Sequence, residues 1–175
     1  MTGKPEEREV VIVGSGPAGC STALSLHDID PELAAKVVVL EALRHPREKI
    51  CAGGVNNRAS RLLEDIGVTV DIPWVTVDRI WIRTAVGDKW QEVPGVTRVA
   101  PRERFDAAVA ARVRERGIEL REGTRVERVR RMGSGFEIET AARTIRSRCV
   151  VAADGAAGVV RRSLFRRPED THLVG

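Results

Sequence analysis

The chain has 175 residues, of which 42% are hydrophobic and 31% charged, and its formal net charge is +4. This balance is typical of a folded globular protein and excludes an intrinsically disordered one. The positive charge is carried mostly by arginines interleaved with acidic residues, and there are no tyrosines to help build a stacking surface, so nucleic acid is not an expected partner.

Three cysteines, Cys20, Cys51 and Cys149, lie far apart and show no metal-ligand spacing. An odd count without a CxxC pair or a signal peptide indicates a reducing cytoplasm, and no metal site is expected. No apolar run approaches the ~20 residues of a membrane-spanning helix. The sequence therefore predicts a cytoplasmic protein, and its basic charge leaves open a peripheral contact with an anionic membrane surface.

The first predicted elements are a strand, a glycine-rich turn and a helix. Val10–Val13 is typical of a buried strand, the turn G-S-G-P-A-G follows, and Ala18–Leu26 has helical spacing. In this context GxGxxG is a dinucleotide-binding fingerprint. Gly14 permits the tight turn, Gly16 lets the backbone approach a pyrophosphate, and Gly19 lets the helix pack against the strand.

A second buried strand, Lys36–Leu40, ends in Glu41, about 20 residues after Gly19. A carboxylate at this position accepts hydrogen bonds from a ribose and repels a 2′-phosphate, which favours FAD or NAD over NADP. The alternative is an ordinary strand–helix–strand unit in which Glu41 is a surface residue.

A long loop, Ala42–Asn57, follows and contains a proline and the pair Gly53-Gly54. Loops of more than about 12 residues inside a compact domain are usually functional. Asn57 is predicted to cap a helix over Arg58–Asp65.

The hydrophobic period changes to two over Val75–Val93, which predicts a hairpin with its turn at Gly87-Asp88 and its end at Pro94-Gly95. Residues 75–95 are therefore expected to leave the nucleotide domain and begin the separate antiparallel sheet of an incomplete substrate domain.

The rest of the chain predicts an amphipathic helix, a short parallel strand, a three-stranded meander, a buried strand and a final helix. These elements are Arg102–Arg116, Ile118–Leu120, the meander strands Thr124–Arg130, Phe136–Thr140 and Thr144–Arg148, the strand Cys149–Ala153, and a helix from about Gly158 to Phe165. The expected fold class is α/β, a Rossmann-type FAD/NAD(P)-binding fold with a parallel sheet, a meander and the start of a second antiparallel sheet.

From Glu9 to about Phe165 the chain resembles the FAD-dependent geranylgeranyl reductases, within the wider group that shares the fold of para-hydroxybenzoate hydroxylase. The resemblance is carried by the glycine fingerprint, the loop P-R-E-K-I-C-A-G-G-V, the helix start V-A-P-R-E-R-F-D and the strand end V-V-A-A-D-G-A-A-G-V-V-R. The K-x-C-x-G-G pattern narrows the match, because hydroxylases of the group usually have no cysteine there. Residues 1–175 are accordingly expected to form an FAD-binding domain.

The resemblance implies that FAD is the cofactor, and it assigns a contact to each residue that matches the family pattern. The implied contacts are Gly14, Gly16, Ala18 and Gly19 at the pyrophosphate, Glu41 at the adenosine ribose, Cys51, Ala52 and Gly54 along the flavin, Arg102 reaching back to the FAD, Val126 at the adenine through its backbone, and Asp154 near the dinucleotide.

Three of these residues have plainer alternatives. Cys51 is the single candidate for a proton-donating catalytic residue, and otherwise it is a small loop residue. Arg102 is alternatively an arginine at a helix N-terminus, although that placement opposes the helix dipole. Asp154 is alternatively a cap for the final helix.

The activity implied by the resemblance is reduction of carbon–carbon double bonds in an isoprenoid or lipid substrate, with NAD(P)H or reduced ferredoxin as electron donor. One alternative is an FAD-dependent monooxygenase of the hydroxylase type, and another is a truncated, binding-only or inactive fragment. Relatives continue for about as many residues again and carry a later Gly-Asp motif that this chain lacks. A truncated product, or a second chain that completes the fold, is therefore expected.

Overall fold

The apolar run before the glycine-rich turn forms a central strand of the fold, in a computed structural model that describes residues 4–165. The strand spans Glu6–Val13, and its Val10–Val13 part is buried, as a continuous apolar run predicts. It begins earlier than the predicted Val10, because its polar first residues pair in parallel with a later strand at Ile145 and Arg146.

Fourteen helices and strands follow one another within the described residues. In chain order they are β1 (Glu6–Val13), α1 (Pro17–Ile29), α2 (Pro31–Ala34), β2 (Val37–Leu40), β3 (Gly54–Asn56), α3 (Asn57–Asp65), β4 (Val75–Thr84), β5 (Gly87–Val99), α4 (Arg102–Glu115), β6 (Glu119–Arg121), β7 (Val126–Met132), β8 (Gly135–Thr140), β9 (Thr144–Ala152) and α5 (Val159–Leu164). They fall into two units, the first made of residues up to Arg44 and from Val113 onward, and the second of His45–Arg112.

The first unit contains a six-stranded sheet in the order β6-β2-β1-β9-β8-β7. Strands β6, β2, β1 and β9 are parallel, and β7, β8 and β9 form an antiparallel meander. The predicted α/β class with a parallel sheet and a three-stranded meander is confirmed.

The end of the meander differs from the prediction in one respect. The third meander strand and the predicted strand Cys149–Ala153 are a single strand, β9, because Thr144–Ala152 pairs with β8 through its first residues and with β1 along most of its length. Cys149 is exposed and Val150 only half-buried. The prediction that Cys149–Ala153 is a buried strand is therefore wrong in its burial.

One hydrophobic core cluster of the first unit combines side chains from the parallel strands, the meander and α5. Its members are Val11, Val13, Val38 and Leu40 from the parallel strands, Val126, Val129, Ile138 and Ile145 from the meander, and Val160 from α5. Side chains alternate between the faces of a strand, so Ile12 and Val39 point to the opposite face, and both are fully buried. Both faces of β2 and of the Val10–Val13 part of β1 are thus shielded from water, which explains the unbroken apolar sequences of these two segments.

The second unit contains a three-stranded antiparallel sheet in the order β3-β5-β4. Its first strand, β3, lies inside the segment that the sequence predicts to be loop throughout, and pairs with the end of β5. The following helix, α3, begins one residue early, because the side chain of Asn56 rather than Asn57 accepts a hydrogen bond from the Ala59 amide (2.9 Å).

The long hairpin of the second unit is placed correctly by the sequence, but its turn is not. Thr84 pairs with Gly87, so the two turn residues are Ala85 and Val86, and the predicted Gly87-Asp88 turn is wrong. Gly87 begins β5 instead, with a φ of +136° that favours glycine.

Strand β5 also continues through Pro94-Gly95 to Val99, whereas the sequence predicts an end at this dipeptide. The register of β4 shifts beside this point, between Val77 and Arg79, and the Asp78 carboxylate accepts a hydrogen bond from the Gly95 amide (2.6 Å). The irregularity absorbs the dipeptide without ending the strand.

The amphipathic helix α4 matches its prediction to within one residue. Phe105, Val109 and Val113 of its apolar face are buried. No helix within residues 4–165 is both long enough and apolar enough to cross a lipid bilayer.

Candidate functional site

The turn after β1 requires glycine at its first position. Gly14 has a φ of +100°, and a Cβ atom there would clash with the carbonyl oxygen of Ala153 and lie 2.7 Å from the carbonyl carbon. The Gly14 amide donates to the carbonyl of Leu40 (2.8 Å). The turn is therefore packed directly between the carboxyl ends of β2 and β9.

Helix α1 begins at this turn without a capping side chain. Gly16 is its N-cap residue and Pro17 its first residue, and its first turn contains no acidic residue. The first amides of a helix lack partners within the helix and carry its positive dipole end. Together with the exposed Ala18, they form an N-terminus suited to a pyrophosphate.

Gly19 brings α1 against the turn. Its backbone is helical, and a Cβ atom at this position would overlap the carbonyl oxygen of Gly14 and lie 3.2 Å from Cβ of Ala153. The helix axis can approach β1 this closely only because Gly19 has no side chain.

Glu41 lies at the end of β2, and only 6% of its surface is exposed. Its Oε2 accepts hydrogen bonds from the Ser15 amide (3.0 Å) and the Ser15 hydroxyl (2.8 Å), and its Oε1 accepts one from the Leu43 amide (3.1 Å). The alternative of a surface glutamate is wrong, because this carboxylate is buried and holds the glycine-rich turn to the end of β2. Sequence reasoning missed Ser15, although a hydroxyl residue between Gly14 and Gly16 is a usable signal.

Asp154 follows the end of β9, where its carboxylate accepts a hydrogen bond from the Val160 amide (3.0 Å). A Cβ atom on Gly158 would clash with that carboxylate. The helix cap that the sequence offers as an alternative role for Asp154 is therefore present in the structure. The amide nitrogen of Asp154 would lie 3.0 Å from a Cβ atom on Gly14. Asp154 therefore also lies next to the glycine-rich turn after β1.

Val126 begins β7 and is buried in the core of the first unit. The residues just before it lie against the end of β2, since the amides of Gly123 and Thr124 donate to the carbonyls of Leu43 (3.1 Å) and Glu41 (2.8 Å). The backbone that leads into Val126 is thereby tied to the Glu41 position.

The second unit places the remaining predicted residues around Cys51. The thiol is exposed, and hydrogen bonds with the Gly53 backbone and the Arg102 guanidinium lower the pKa of Cys51. The Gly53 carbonyl accepts a hydrogen bond from the Ala100 amide (3.1 Å), which holds the loop at this residue. The position requires glycine, because its φ is +77° and a Cβ atom would clash with the Ala100 carbonyl oxygen. The loop is therefore fixed at Gly53, two residues after the thiol.

Ala52 and Gly54, the other predicted loop contacts, are both exposed. A Cβ atom on Gly54 would lie 3.6 Å from Oγ1 of Thr97, an ordinary van der Waals distance. Packing within the second unit does not require glycine there.

Arg102 is joined to a buried carboxylate that sequence reasoning missed. Its Nε donates to Oδ1 of Asp106 (2.9 Å), and Nη1 of Arg47 lies 3.4 Å from Oδ2 of the same residue. Burial works to lower the pKa of Arg102, but the hydrogen bond and the charge of Asp106 outweigh it, so the pKa is raised. The i,i+4 spacing in R-E-R-F-D was the available signal.

The structure thus assembles the predicted residues in two separate groups. The first unit holds Gly14, Gly16, Ala18, Gly19, Glu41, Val126 and Asp154, and the second holds Cys51, Ala52, Gly54 and Arg102. The glycine turn, the uncapped helix and the buried Glu41 of the first unit define a dinucleotide-binding α/β protein.

The chain belongs to the FAD binding domain family, whose sequence pattern matches residues 7–172. FAD is thus the cofactor of this chain. The residues of the first unit fit this cofactor. Gly14 and Gly19 stand where a Cβ atom would clash, and no side chain forms a capping hydrogen bond at the start of α1.

Three comparisons show which proteins the chain is similar to. It is 31% identical to digeranylgeranylglycerophospholipid reductase 1 of Methanopyrus kandleri, over 93% of this chain and 44% of the reductase. It is 28% identical to aklavinone 12-hydroxylase DnrF of Streptomyces peucetius, over 89% of this chain and 37% of the hydroxylase. The fold matches the crystal structure of the flavin-dependent monooxygenase PieE in complex with FAD and substrate, with a TM-score of 0.74 and 19% identity over 92% of this chain and 32% of PieE. The chain thus spans less than half the length of these proteins.

Proposed function

We propose that this chain is the FAD-binding part of a reductase that saturates carbon–carbon double bonds in an isoprenoid lipid. The observation that carries the proposal is the exposed Cys51 thiol, in a loop that the Ala100 amide holds by a hydrogen bond to the Gly53 carbonyl (3.1 Å). The loop that carries this thiol is the segment that narrows the resemblance to the geranylgeranyl reductases. The identity of 31% to an archaeal lipid reductase supports the same assignment.

In this proposal the first unit holds the adenosine diphosphate part of FAD. The amides at the start of α1 donate to the pyrophosphate, with Gly14 and Gly19 keeping the backbone close, and Glu41 holds the turn in position beside the ribose. The backbone near Val126 contacts the adenine, and Asp154 braces the loop after β9. The contacts of Cys51, Ala52, Gly54 and Arg102 with FAD stay a prediction of the resemblance.

When bound, the reduced flavin supplies a hydride equivalent to an alkene carbon. The proposed task of Cys51 is to hold the proton that the other alkene carbon takes up. A thiol is a weak acid at its ordinary pKa, and the hydrogen bonds that lower the pKa of Cys51 bring it nearer to the neutral range in which a proton donor works best.

Residues outside the matched part of the relatives contribute to turnover in this proposal, either in the same polypeptide or in a second chain. Residues 75–95 then form the beginning of a substrate-domain sheet. The isoprenoid substrate, a donor such as NAD(P)H or reduced ferredoxin, and a peripheral contact with a membrane are parts of the proposal.

Cofactor binding is tested first, by the visible spectrum of the purified chain and identification of the nucleotide released by acid. We expect FAD, and we expect Gly16→Val to abolish its retention, because a branched side chain blocks the approach of the pyrophosphate to α1. Gly95→Ala, in the second unit with open space around the glycine, is the control and retains FAD. Equal retention in the Gly16 variant contradicts the proposed pyrophosphate site.

Chemistry is tested by reducing the FAD-loaded chain with dithionite and adding a geranylgeranyl lipid, together with the remaining portion of the fold where it is a separate chain. We expect a mass gain of about two units for each double bond reduced. Because a hydroxylase is among the relatives, the second candidate is a monooxygenase, which instead consumes oxygen with an aromatic substrate. FAD binding without either reaction favours a binding-only fragment.

A further inference from the structure

The outer part of the β4–β5 hairpin exposes apolar side chains on both of its faces. Residues 79–92 form this hairpin tip, in which β4 pairs with β5 on either side of the turn. Trp81 and Trp90 are direct cross-strand partners and are 47% and 65% exposed. Ile82 is also exposed and points to the opposite face, because side chains alternate along a strand. Val86, in the turn, is 98% exposed. Apolar groups therefore meet water on two faces and at the end of the hairpin.

The two tryptophans of the hairpin tip are stacked on each other. Their ring centroids lie 5.2 Å apart and their planes differ by 4°. Cζ of Arg83 lies 4.1 Å from the centroid of the Trp81 ring, which is a cation–π contact. An indole has an apolar body and a polar N–H, and tryptophan is therefore enriched where lipid meets water. The exposed stack suits such an interface.

The turn of the hairpin tip provides hydrogen-bond partners for its own backbone. The Thr84 hydroxyl donates to the Gly87 carbonyl (2.8 Å) and accepts from the Val86 amide (3.3 Å). A backbone polar group that leaves water without a partner is strongly destabilising. These two hydrogen bonds therefore reduce the cost of moving the turn, with Val86 at its end, from water into the headgroup region of a membrane.

The charged side chains of the hairpin tip favour an anionic surface. Three are cations and two are carboxylates, namely Arg79, Arg83, Lys89, Asp88 and Glu92. Nε of Arg79 lies 2.9 Å from Glu92, and Nε of Arg83 lies 3.5 Å from Asp88, with all four side chains exposed. Exposed pairs of this kind are weak in water. The excess positive charge is attracted to anionic lipid, and long arginine and lysine side chains can reach headgroups from an apolar surface.

The distribution of these groups distinguishes a lipid surface from a protein partner. A protein that packs as one layer covers one face of a hairpin, so it would leave either the tryptophan stack or Ile82 in water. A lipid surface that the turn enters end-on surrounds both faces and the turn together. The placement of apolar groups on two faces and at Val86 therefore favours lipid.

We propose that the hairpin tip is a contact site for an anionic lipid surface. Val86 enters the surface first, and the stack of Trp81 and Trp90 lies among the headgroups. The inference rests on the proposed function, because it gives the membrane contact included there a place on the chain. An isoprenoid lipid resides in a membrane, so this contact brings the chain to its proposed substrate.

Binding is measured by sedimentation of the purified chain with vesicles of equal parts phosphatidylcholine and phosphatidylglycerol. We expect Val86→Asp to lower the partition coefficient by a factor on the order of 10, because an apolar contact is lost and a carboxylate meets anionic headgroups. Val75→Asp is the matched control and binds like the parent chain. Val75 is also an exposed valine of β4, but it lies at the end of the strand away from the turn. Vesicles of phosphatidylcholine alone are expected to bind more weakly.

Tryptophan fluorescence locates the contact, because the chain has three tryptophans. With the mixed vesicles we expect the emission to shift to shorter wavelength and to be quenched by brominated phosphatidylcholine. In the double variant Trp81→Phe, Trp90→Phe the remaining fluorophore is Trp74, which is half-buried and packs edge-on against Phe105 (5.8 Å). Its emission is expected to be neither shifted nor quenched.

Three results overturn the inference: no binding of the parent chain to the mixed vesicles, equal binding to phosphatidylcholine alone, or an equal loss of binding in Val75→Asp and Val86→Asp. Self-association that Val86→Asp abolishes, without vesicle binding, also overturns it and makes a second copy of the chain the occupant.

The proposed function is checked separately on the same preparations, through FAD content and reduction of a detergent-dispersed geranylgeranyl lipid by the completed fold. Reduction without vesicle binding rejects the membrane contact alone. Vesicle binding without reduction rejects the proposed reductase activity alone. The two failures are therefore distinguishable.

Discussion

The hydroxyl of Ser15 donates to Oε2 of Glu41 across 2.8 Å, and the Ser15 amide donates to the same oxygen across 3.0 Å. Both residues are buried. The acidic residue at the end of β2 therefore has a structural task in this chain, since it anchors the glycine-rich turn from which α1 begins.

Replacing Glu41 tests this anchoring role. In Glu41→Gln the amide group keeps the shape of the side chain but loses its charge and one acceptor oxygen, while the amides of Ser15 and Leu43 remain buried or half-buried at the same place. We expect the free energy of unfolding to fall by about 1 to 3 kcal/mol, together with weaker FAD binding. Urea denaturation measures the first effect. Glu64→Gln, at an exposed position of α3, is the control. An equal loss of unfolding free energy in the two variants contradicts the anchoring role of Glu41.

The close approach of α1 to the turn gives a second prediction. In Gly19→Ala the added Cβ atom overlaps the Gly14 carbonyl oxygen, so the helix must shift, and we expect a loss of stability on the order of 3 kcal/mol. Gly133→Ala is the matched comparison, because Gly133 has a φ of +57° and open space around it. Its cost is the strain of a left-handed residue alone, about 1 kcal/mol. Thermal unfolding of the two variants separates packing from strain, and equal melting temperatures contradict the packing argument.

Asp154 provides a third prediction, which concerns its capping bond to α5. In Asp154→Ala the amide of Val160 loses its side-chain partner, and we expect a loss of about 1 kcal/mol in unfolding free energy. Asp154→Asn retains an oxygen that can accept from the same amide and is expected to lose less. Chemical denaturation of both variants tests the difference. If Asn destabilises as much as Ala, the carboxylate has a second role beyond the cap.

The charged cluster around Glu6 predicts acid sensitivity. Hydrogen bonds with Arg121, partly opposed by burial and aided by Arg8 and Arg143, lower the pKa of Glu6 to about 2. Because the pKa is lower in the folded state than in the unfolded state, this carboxylate stabilises the fold above about pH 4.5, and the stabilisation is lost as the pH falls toward 2. Its contribution is about 1 to 2 kcal/mol once solvent screening is included.

Glu6→Gln checks this prediction, since the variant should unfold more readily than the parent chain at pH 6 and differ little from it near pH 2. Glu7→Gln, at the exposed neighbouring position of β1, controls for the general effect of removing an acidic residue. Urea denaturation curves across this pH range measure both. A Glu6 variant whose stability follows the parent at every pH rules out the linkage.

The sequence was informative wherever a local pattern has one physical solution. The unbroken apolar run Val10–Val13 predicts a strand whose two faces are both shielded from water, and it forms a central strand of the sheet. Gly14 and Gly19 stand where the backbone leaves no room for a Cβ atom. The helix over Arg102–Glu115 followed from its apolar spacing in the same way. The hairpin turn at Ala85-Val86 could not be predicted from the sequence, because a glycine at the start of a strand and a glycine in a turn give the same local pattern.

Sequence alone determined the α/β class, the order of the nucleotide-binding elements and the residue types of the glycine turn, because these depend on periodicity and on backbone sterics between near neighbours. Only the tertiary structure decided that Glu41 is buried against Ser15, and that Arg47, brought in by the loop, meets Asp106 of α4. Those contacts join residues distant in the sequence, and their strength depends on the loss of water around each charge. Burial of this kind exists only after the chain has folded.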